Sequence, residues 1–263
     1  MAHKPSHELL YQVFALLLAV ILVHALYVLW IRPQAELALA AQLAAAVDPG
    51  AGQQSLFVIL KDYEQETCLI LALWALAIMA YKARDGLLER RLLARHLLPT
   101  EEGTRILPED TRQLSRPLEA LAPHERELLL PRALRAGLRR FHATRSIQDT
   151  AASVGQQCDS EADRLDSELA MIRYITWAIP SIGFIGTVRG IGMALSRAHE
   201  AVGGNIAGVT EALGVAFNST FVALVLSIVV MFCMHQLQLL QERLVLDTQS
   251  YCELHLIDRL KAD

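Results

Sequence analysis

Residues 213–237 read LGVAFNSTFVALVLSIVVMFCMHQL, 25 residues without one Asp, Glu, Lys or Arg. About 20 mostly apolar residues in a helix cross about 30 Å of hydrocarbon, so this stretch is long enough to span a bilayer. Three other stretches have the same character. Leu9 to Ile31 carries a single side chain that titrates near neutral pH, His24. It exceeds the apolar core of a signal peptide, about 7–15 residues, and reads as an uncleaved anchor, although Ala38-Leu39-Ala40 has the small-residue pattern of a cleavage site. Thr67 to Tyr81 is shorter; its helix can extend back through Leu56, Phe57, Ile59 and Leu60, with Lys61, Asp62, Glu64 and Glu66 in or beyond the headgroups. Ile175 to Leu195 completes the set. The predicted fold is all-α and polytopic: four transmembrane helices with long cytoplasmic helical extensions.

Composition agrees. The chain of 263 residues is 53% hydrophobic and 20% charged, with a mean hydropathy of +0.32. A soluble domain carries about 25% charged residues, so the apolar excess needs a membrane. A net charge of −4 gives no basic field for nucleic acid. The four cysteines, Cys68, Cys158, Cys233 and Cys252, form no CxxC pair and support neither a disulfide framework nor a metal site.

Between Lys82 and Arg164 lie 15 Lys and Arg, against two between the first two spans, Arg32 and Lys61. Lys82, Arg84, Arg90, Arg91 and Arg95 sit close to a membrane end and place that segment, and with it both termini, in the cytoplasm. Three regions result: 1–81, two transmembrane helices with an outward connection; 82–165, cytoplasmic helices; and 166–263, two transmembrane helices and a cytoplasmic C-terminal helix. In the middle region Pro99, Pro108, Pro117, Pro123 and Pro131 punctuate the helices. Leu134, Leu138 and Phe141 then form an apolar stripe edged by Arg132, Arg135 and Arg139. This basic helix, 131–145, suits either anionic lipid or packing on neighbouring helices. No proline follows His142 until Pro180, so the third span should begin as a long helix inside the cytoplasm. Gly203-Gly204-Asn205 marks a short outward turn.

No soluble-type catalytic motif is present: no phosphate-cradling loop with Lys-Ser/Thr, no nucleophile elbow and no HExxH. His3 and His7, four apart at the terminus, are a weak metal pair. His24 is either a hydrogen-bonded structural histidine or a functional ionisable group, since charge is costly in lipid.

The last two spans differ from the first two. Gly183, Thr187, Gly190 and Ala194 fall within about 60° on a helical wheel, and Ala212, Ala216, Thr220, Ala223 and Ser227 within about 80°. Pro180 and Gly186 flank the first stripe. Close helix packing explains the small residues, including Gly186-x-x-x-Gly190. Thr187 and the run Asn218-Ser219-Thr220 need more, because hydroxyl and amide groups at membrane depth require partners or water. They suit a narrow wet path. The span centres carry no Asp or Glu, so the chain lacks the group that would carry a proton along such a path.

Ile179-Pro180-Ser181-Ile182-Gly183-Phe184-Ile185-Gly186-Thr187-Val188-Arg189-Gly190 resembles the P-x-x-G-x-x-G-T-V-x-G signature of the MotA/TolQ/ExbB proton-channel family. Gly214 to Leu224 is similar to that family's A-F-x-T-T-x-x-x-L segment. Together the likeness covers about residues 170–260. It implies a pentameric ring around two copies of a single-span MotB/TolR/ExbD-like partner with a transmembrane aspartate, in the bacterial inner membrane. On that resemblance Thr187 and Thr220 match the pore-facing threonines, Ser219 and Asn218 extend the polar ring, and Pro180, Gly183, Gly186, Gly190, Ala216 and Ala223 shape the helices. The implied cargo is H⁺, with Na⁺ the alternative, and the implied activity is a motor driven by proton-motive force rather than an enzyme. No cofactor is expected; a non-conducting scaffold is the competing reading. The match is imperfect: Ser227-Ile228-Val229 stands where transport-type members have Ala-Ile-Pro, Asn218 replaces an acidic residue, and Ser219 replaces the first threonine.

Overall fold

The structure is a computed structural model and describes residues 4–45, 55–95, 97–98, 105–204 and 206–261. No strand occurs among the described residues; one isolated parallel bridge joins Ile106 to Leu260. The helices are α1 (Lys4–Leu26), a π-helical turn (Tyr27–Ile31), α2 (Arg32–Ala45), α3 (Leu56–Leu60), α4 (Tyr63–Leu93), α5 (Thr111–Glu119), α6 (Pro123–Arg126), α7 (Leu129–Thr144), α8 (Ile147–Glu168), α9 (Ala170–Ser196), α10 (Ala198–Val202) and α11 (Ala207–His255), followed by a 3₁₀ turn (Ile257–Arg259). Four continuous helical segments among them are long and apolar enough to cross a membrane: Glu8–Ala41, Tyr63–Leu93, Ile147–Ser196 and Ala207–Arg259.

The chain divides into two compact units, one of residues 1–80 and 171–234 and the other of residues 81–170 and 235–263. The first unit presents large apolar side chains outward, among them Trp30, Phe184, Phe221 and Phe232. In hydrocarbon that is the expected surface, because lipid tails are as apolar as the side chains they meet. Its helices satisfy their own backbone groups, as a spanning segment must. Tyr11 Oη donates to the Ala77 carbonyl at 3.2 Å and Trp74 Nε1 to the Gln12 carbonyl at 2.9 Å, which sets α1 antiparallel to α4. Val23, Tyr27 and Ile31 pack on Leu60, Leu69 and Ile70. The segment before α4 does not extend that helix: α3 ends at Leu60, and Lys61 and Asp62 separate the two. Between α10 and α11 the chain turns through Gly204 at a φ of 91°, a left-handed conformation that glycine adopts without strain. Asn205 of that turn lies outside the described residues.

The second unit has a water-soluble kind of core. Leu114, Leu118, Leu134, Leu138, Phe141, Val154, Cys252 and Leu256 are buried together. The stripe Leu134, Leu138 and Phe141 is fully covered by this core, so α7 uses its apolar face for packing, and that face is not offered to lipid. Its basic edge is engaged too: Arg132 pairs with Glu161 at 3.1 Å, and Arg135 donates to the Arg126 carbonyl at 2.7 Å. Pro131 sits in the first turn of α7, where a missing N–H costs nothing. Pro117, expected to interrupt, lies inside α5 instead. Arg145, at a φ of 54°, ends α7, and the Ser146 hydroxyl accepts from the Asp149 N–H at 3.2 Å to start α8. The helix that leads into the third span therefore begins at Ile147, with a single break at Leu169.

Glu89 belongs to the polar end of α4, beyond its apolar stretch, and accepts from the Leu129 N–H. Leu128, at the N-cap of α7, has no side-chain cap, so Glu89 supplies that acceptor from another helix. Burial pushes the Glu89 carboxyl up to about 7, against the opposing pull of the Leu129 N–H. An acid whose folded value is raised favours folding in its protonated form. Its contribution is complete below its ordinary value of 4.5 and is lost as pH rises through about 7. Thermal melts of the chain in nanodiscs at pH 5 and pH 8, at about those values either side of the transition, should show a lower melting temperature at the higher pH. Glu89→Gln keeps an acceptor for Leu129 and should shrink that difference; an equal difference in parent and variant would refute the assignment.

Candidate polar seam between two membrane helices

In α9 the ring of Pro180 has no N–H to give to the carbonyl four residues earlier, that of Thr176. The Ser227 hydroxyl on α11 donates to that carbonyl at 3.4 Å. Ser227 is thus where the carbonyl that a proline leaves without its helical donor is answered by a hydroxyl from the next helix, among apolar side chains where an unpaired carbonyl is costly. Beyond the proline, three glycines bring the two helices into contact. A Cβ on Gly190 would stand 2.6 Å from the Ala216 nitrogen and 2.8 Å from the Ala212 carbonyl oxygen. One on Gly183 would stand 3.2 Å from the Ser219 carbonyl oxygen and collide with the Ala223 side chain. One on Gly186 would collide with Ser219. Ala212, Ala216 and Ala223 are fully buried opposite these glycines.

This approach brings the hydroxyls together. Thr187 Oγ1 and Thr220 Oγ1 are hydrogen-bonded to each other, Thr220 Oγ1 reaches the Gly183 carbonyl at 3.0 Å, and Thr187 Oγ1 reaches the Ala216 carbonyl at 3.1 Å. Each hydroxyl has one proton. Either Thr220 donates to Gly183 and receives from Thr187, or Thr187 donates to Ala216 and receives from Thr220. The two arrangements carry no charge and interconvert by rotation of two hydroxyls. Both threonines remain half-buried, as does Asn218 beside them. Ser219 is fully buried; its hydroxyl lies 3.0 Å from the Ala216 carbonyl of its own helix and 3.4 Å from the Gly183 carbonyl of α9, so it belongs to the helix contact.

Two acids in the first turn of α4 are engaged by other helices of this unit. The Glu64 Cγ would be 3.1 Å from a Cβ on Gly186, close to the middle of the third span. Its carboxylate is gripped by Arg189 through two contacts of 2.7 Å. Glu66 is buried and receives His24 Nδ1 at 2.7 Å and Arg32 at 2.5 Å. Acidic residues in the first turn of a helix ordinarily serve its dipole, which hid these two. Each is neutralised by a basic side chain on another helix, a pairing that no local pattern announces. Among the described residues no group of three or more His, Cys, Asp or Glu is placed to hold a metal ion; His3 is outside the described residues, and the His7 side chain is not described.

Residues 125–250 match the family model described as the MotA/TolQ/ExbB proton channel family. The match begins in α6 and takes in α7 and α8, upstream of the motifs in the two spans. No curated protein and no solved structure matches the chain.

The glycine contacts make a graded expectation. Gly190→Ala should lower the stability of the chain in nanodiscs by about 1–3 kcal/mol, the usual cost of overpacking. At Gly192 and Gly214 a Cβ meets nothing within 4 Å, so Gly192→Ala and Gly214→Ala should leave stability unchanged or raise it. Equal effects at all three positions, measured by thermal unfolding, would contradict the seam.

Proposed function

Because residues 125–250 match the model of the MotA/TolQ/ExbB proton channel family, we propose that this multi-pass membrane protein is the pore-forming subunit of an ion-driven motor rather than an enzyme. In this reading five copies form a ring in the bacterial inner membrane, with both termini cytoplasmic. The ring encloses a single-span partner with a transmembrane aspartate. The transported ion is H⁺, and its flow down the proton-motive force does work across the envelope.

The observation that carries the reading is the chemistry of the seam. It offers two threonine hydroxyls and backbone carbonyls, and no group that binds and releases a proton. The carboxylates nearest to it in α4 are already held by Arg189, His24 and Arg32. A carboxylate therefore has to come from another chain. Entering an apolar bore, such a group favours its neutral form, because desolvation penalises charge. Hydroxyls that rotate to donate to it favour ionisation at that level. Thr187 and Thr220 thus set where the proton leaves. Asn218 extends the polar face, Ser219 holds the backbone of the path in place, and Pro180, Gly183, Gly186, Gly190, Ala216 and Ala223 bring the two hydroxyls to one height.

One observation favours the second reading, a non-conducting scaffold: every hydroxyl of the seam has a partner within the chain. Proton flux into liposomes containing the chain and its partner separates the two. Thr187→Val and Thr220→Val should each cut flux about tenfold or more, equivalent to about 1.4 kcal/mol on the barrier. The ion should be tested by replacing Na⁺ with K⁺, which should leave the parent flux unchanged. Flux that persists unaltered in both valine variants removes the assigned role; absence of flux in the parent favours the scaffold.

A further inference from the structure

The membrane unit holds a second cluster of polar groups, outside the residues matched by the family and apart from the threonine seam. Glu66 is at its centre. Its carboxylate is 7% exposed and receives His24 Nδ1 on one oxygen and Arg32 on the other. His24 and Arg32 are eight residues apart. In an unbroken α-helix that separation amounts to about 800°, which leaves Arg32 about 80° past His24 and unable to share the acid. Between them lies the π-helical turn Tyr27–Ile31. A π turn takes one residue more per turn, so eight residues turn about as far as seven, or about 700°, and both side chains come to one face. The turn thus builds a three-part site: a carboxylate, a permanent cation and an imidazole.

Three further facts concern its surroundings. The Tyr27 phenol is fully buried and its oxygen has no hydrogen-bond partner among the described residues, and the same holds for Asp62 Oδ2 and Gln65 Oε1. They make up three of the four such atoms among the described residues, the fourth being Arg135 Nε. Buried polar atoms left without partners call for water. The groups that act on the Tyr27 phenol are Glu66, Cys68, Arg32 and Asp62. Asp62 in turn faces Lys61, Arg189 and Glu64, and Arg32 lies 4.5 Å over the Tyr63 ring. Finally, the His24 side chain is 59% exposed, whereas its acid is enclosed.

We propose that His24, Glu66 and Arg32 form a proton-binding site of this chain's own. Nδ1 of His24 is committed to Glu66, so the proton is taken up at Nε2, on the ring's exposed side chain, and Glu66 is the counter-charge. Arg32 opposes that uptake, because it already offsets the Glu66 charge. The site exchanges its proton through the exposed side of the ring. It is independent of the proposed conduction path: it requires neither the partner aspartate nor a ring.

The test is a pH titration of the full chain in lipid nanodiscs, with ¹⁵N-labelled histidine and the His24 signals assigned by their loss in His24→Gln. Glu66→Gln should weaken proton binding at His24 about tenfold or more, moving its midpoint down by about one pH unit. Arg32→Gln should move it the opposite way. An unchanged or raised midpoint in Glu66→Gln overturns the proposal. If Glu66→Gln does not reach the membrane folded, Arg32→Gln decides alone: a raised midpoint supports the site and an unchanged or lowered one overturns it.

Discussion

At membrane depth a polar atom without a partner costs more than any single contact there returns, and the close approach of α9 and α11 follows from that constraint. Pro180 leaves the Thr176 carbonyl unpaired within its own helix, and Ser227 answers it. Thr187, Ser219 and Thr220 carry hydroxyls into the same layer, and each reaches a carbonyl of the facing helix because Gly183, Gly186 and Gly190 let the backbones meet. Small residues and hydroxyls are thus one device. Without the glycines the hydroxyls could not reach the carbonyls of the facing helix; without Ser227, the Thr176 carbonyl would lose its side-chain donor.

Charge is handled by the same rule, with different means in the two units. In the membrane unit, each buried acid of α4 is matched by a basic group from another helix, Glu64 by Arg189 and Glu66 by Arg32 and His24. Removing one member of such a pair leaves a buried charge, which costs more than the pair contributes. In the second unit the constraint is relaxed by water. Arg164 there keeps about half of its side chain in contact with solvent while it meets Glu161 and Glu168 at 2.7 and 3.4 Å, and the enclosed Glu161 is shared with Arg132. The exceptions are the buried thiols: burial pushes Cys252 up to about 12 and Cys158 up to about 11, so both behave as small apolar core residues.

Much of this was legible in the sequence. Apolar runs located all four spanning helices because a bilayer demands length and composition that no other context requires. The wheel positions of Gly183, Thr187 and Gly190 against Ala212, Ala216 and Thr220 located the seam, since small residues at helical spacing exist to admit a neighbour. What was not legible depends on depth and on partners far along the chain. Glu64 and Glu66 look like ordinary first-turn acids, and their pairing with Arg189, Arg32 and His24 comes from residues far along the chain. Ser227 reads as one more hydroxyl until Pro180 is placed opposite it. The apolar stripe of α7 suited protein packing or lipid by its pattern alone, and it is buried with Leu256 and Val154 in the protein core. Glu89 gave no sign that it would cap a helix 40 residues away.

The central claim is that the Thr187–Thr220 pair receives a carboxylate from another chain. A cryo-EM reconstruction of the complex in lipid, purified with its single-span partner, tests it most directly. The expected result is a closed ring of this subunit, five copies around the partner, with the partner's aspartate side chain at the height of the threonine hydroxyls and the Thr187–Thr220 bond opened in at least one subunit. A ring whose threonine pairs all remain closed on each other with no partner carboxylate at that height, or a monomer or dimer of this chain, would contradict it.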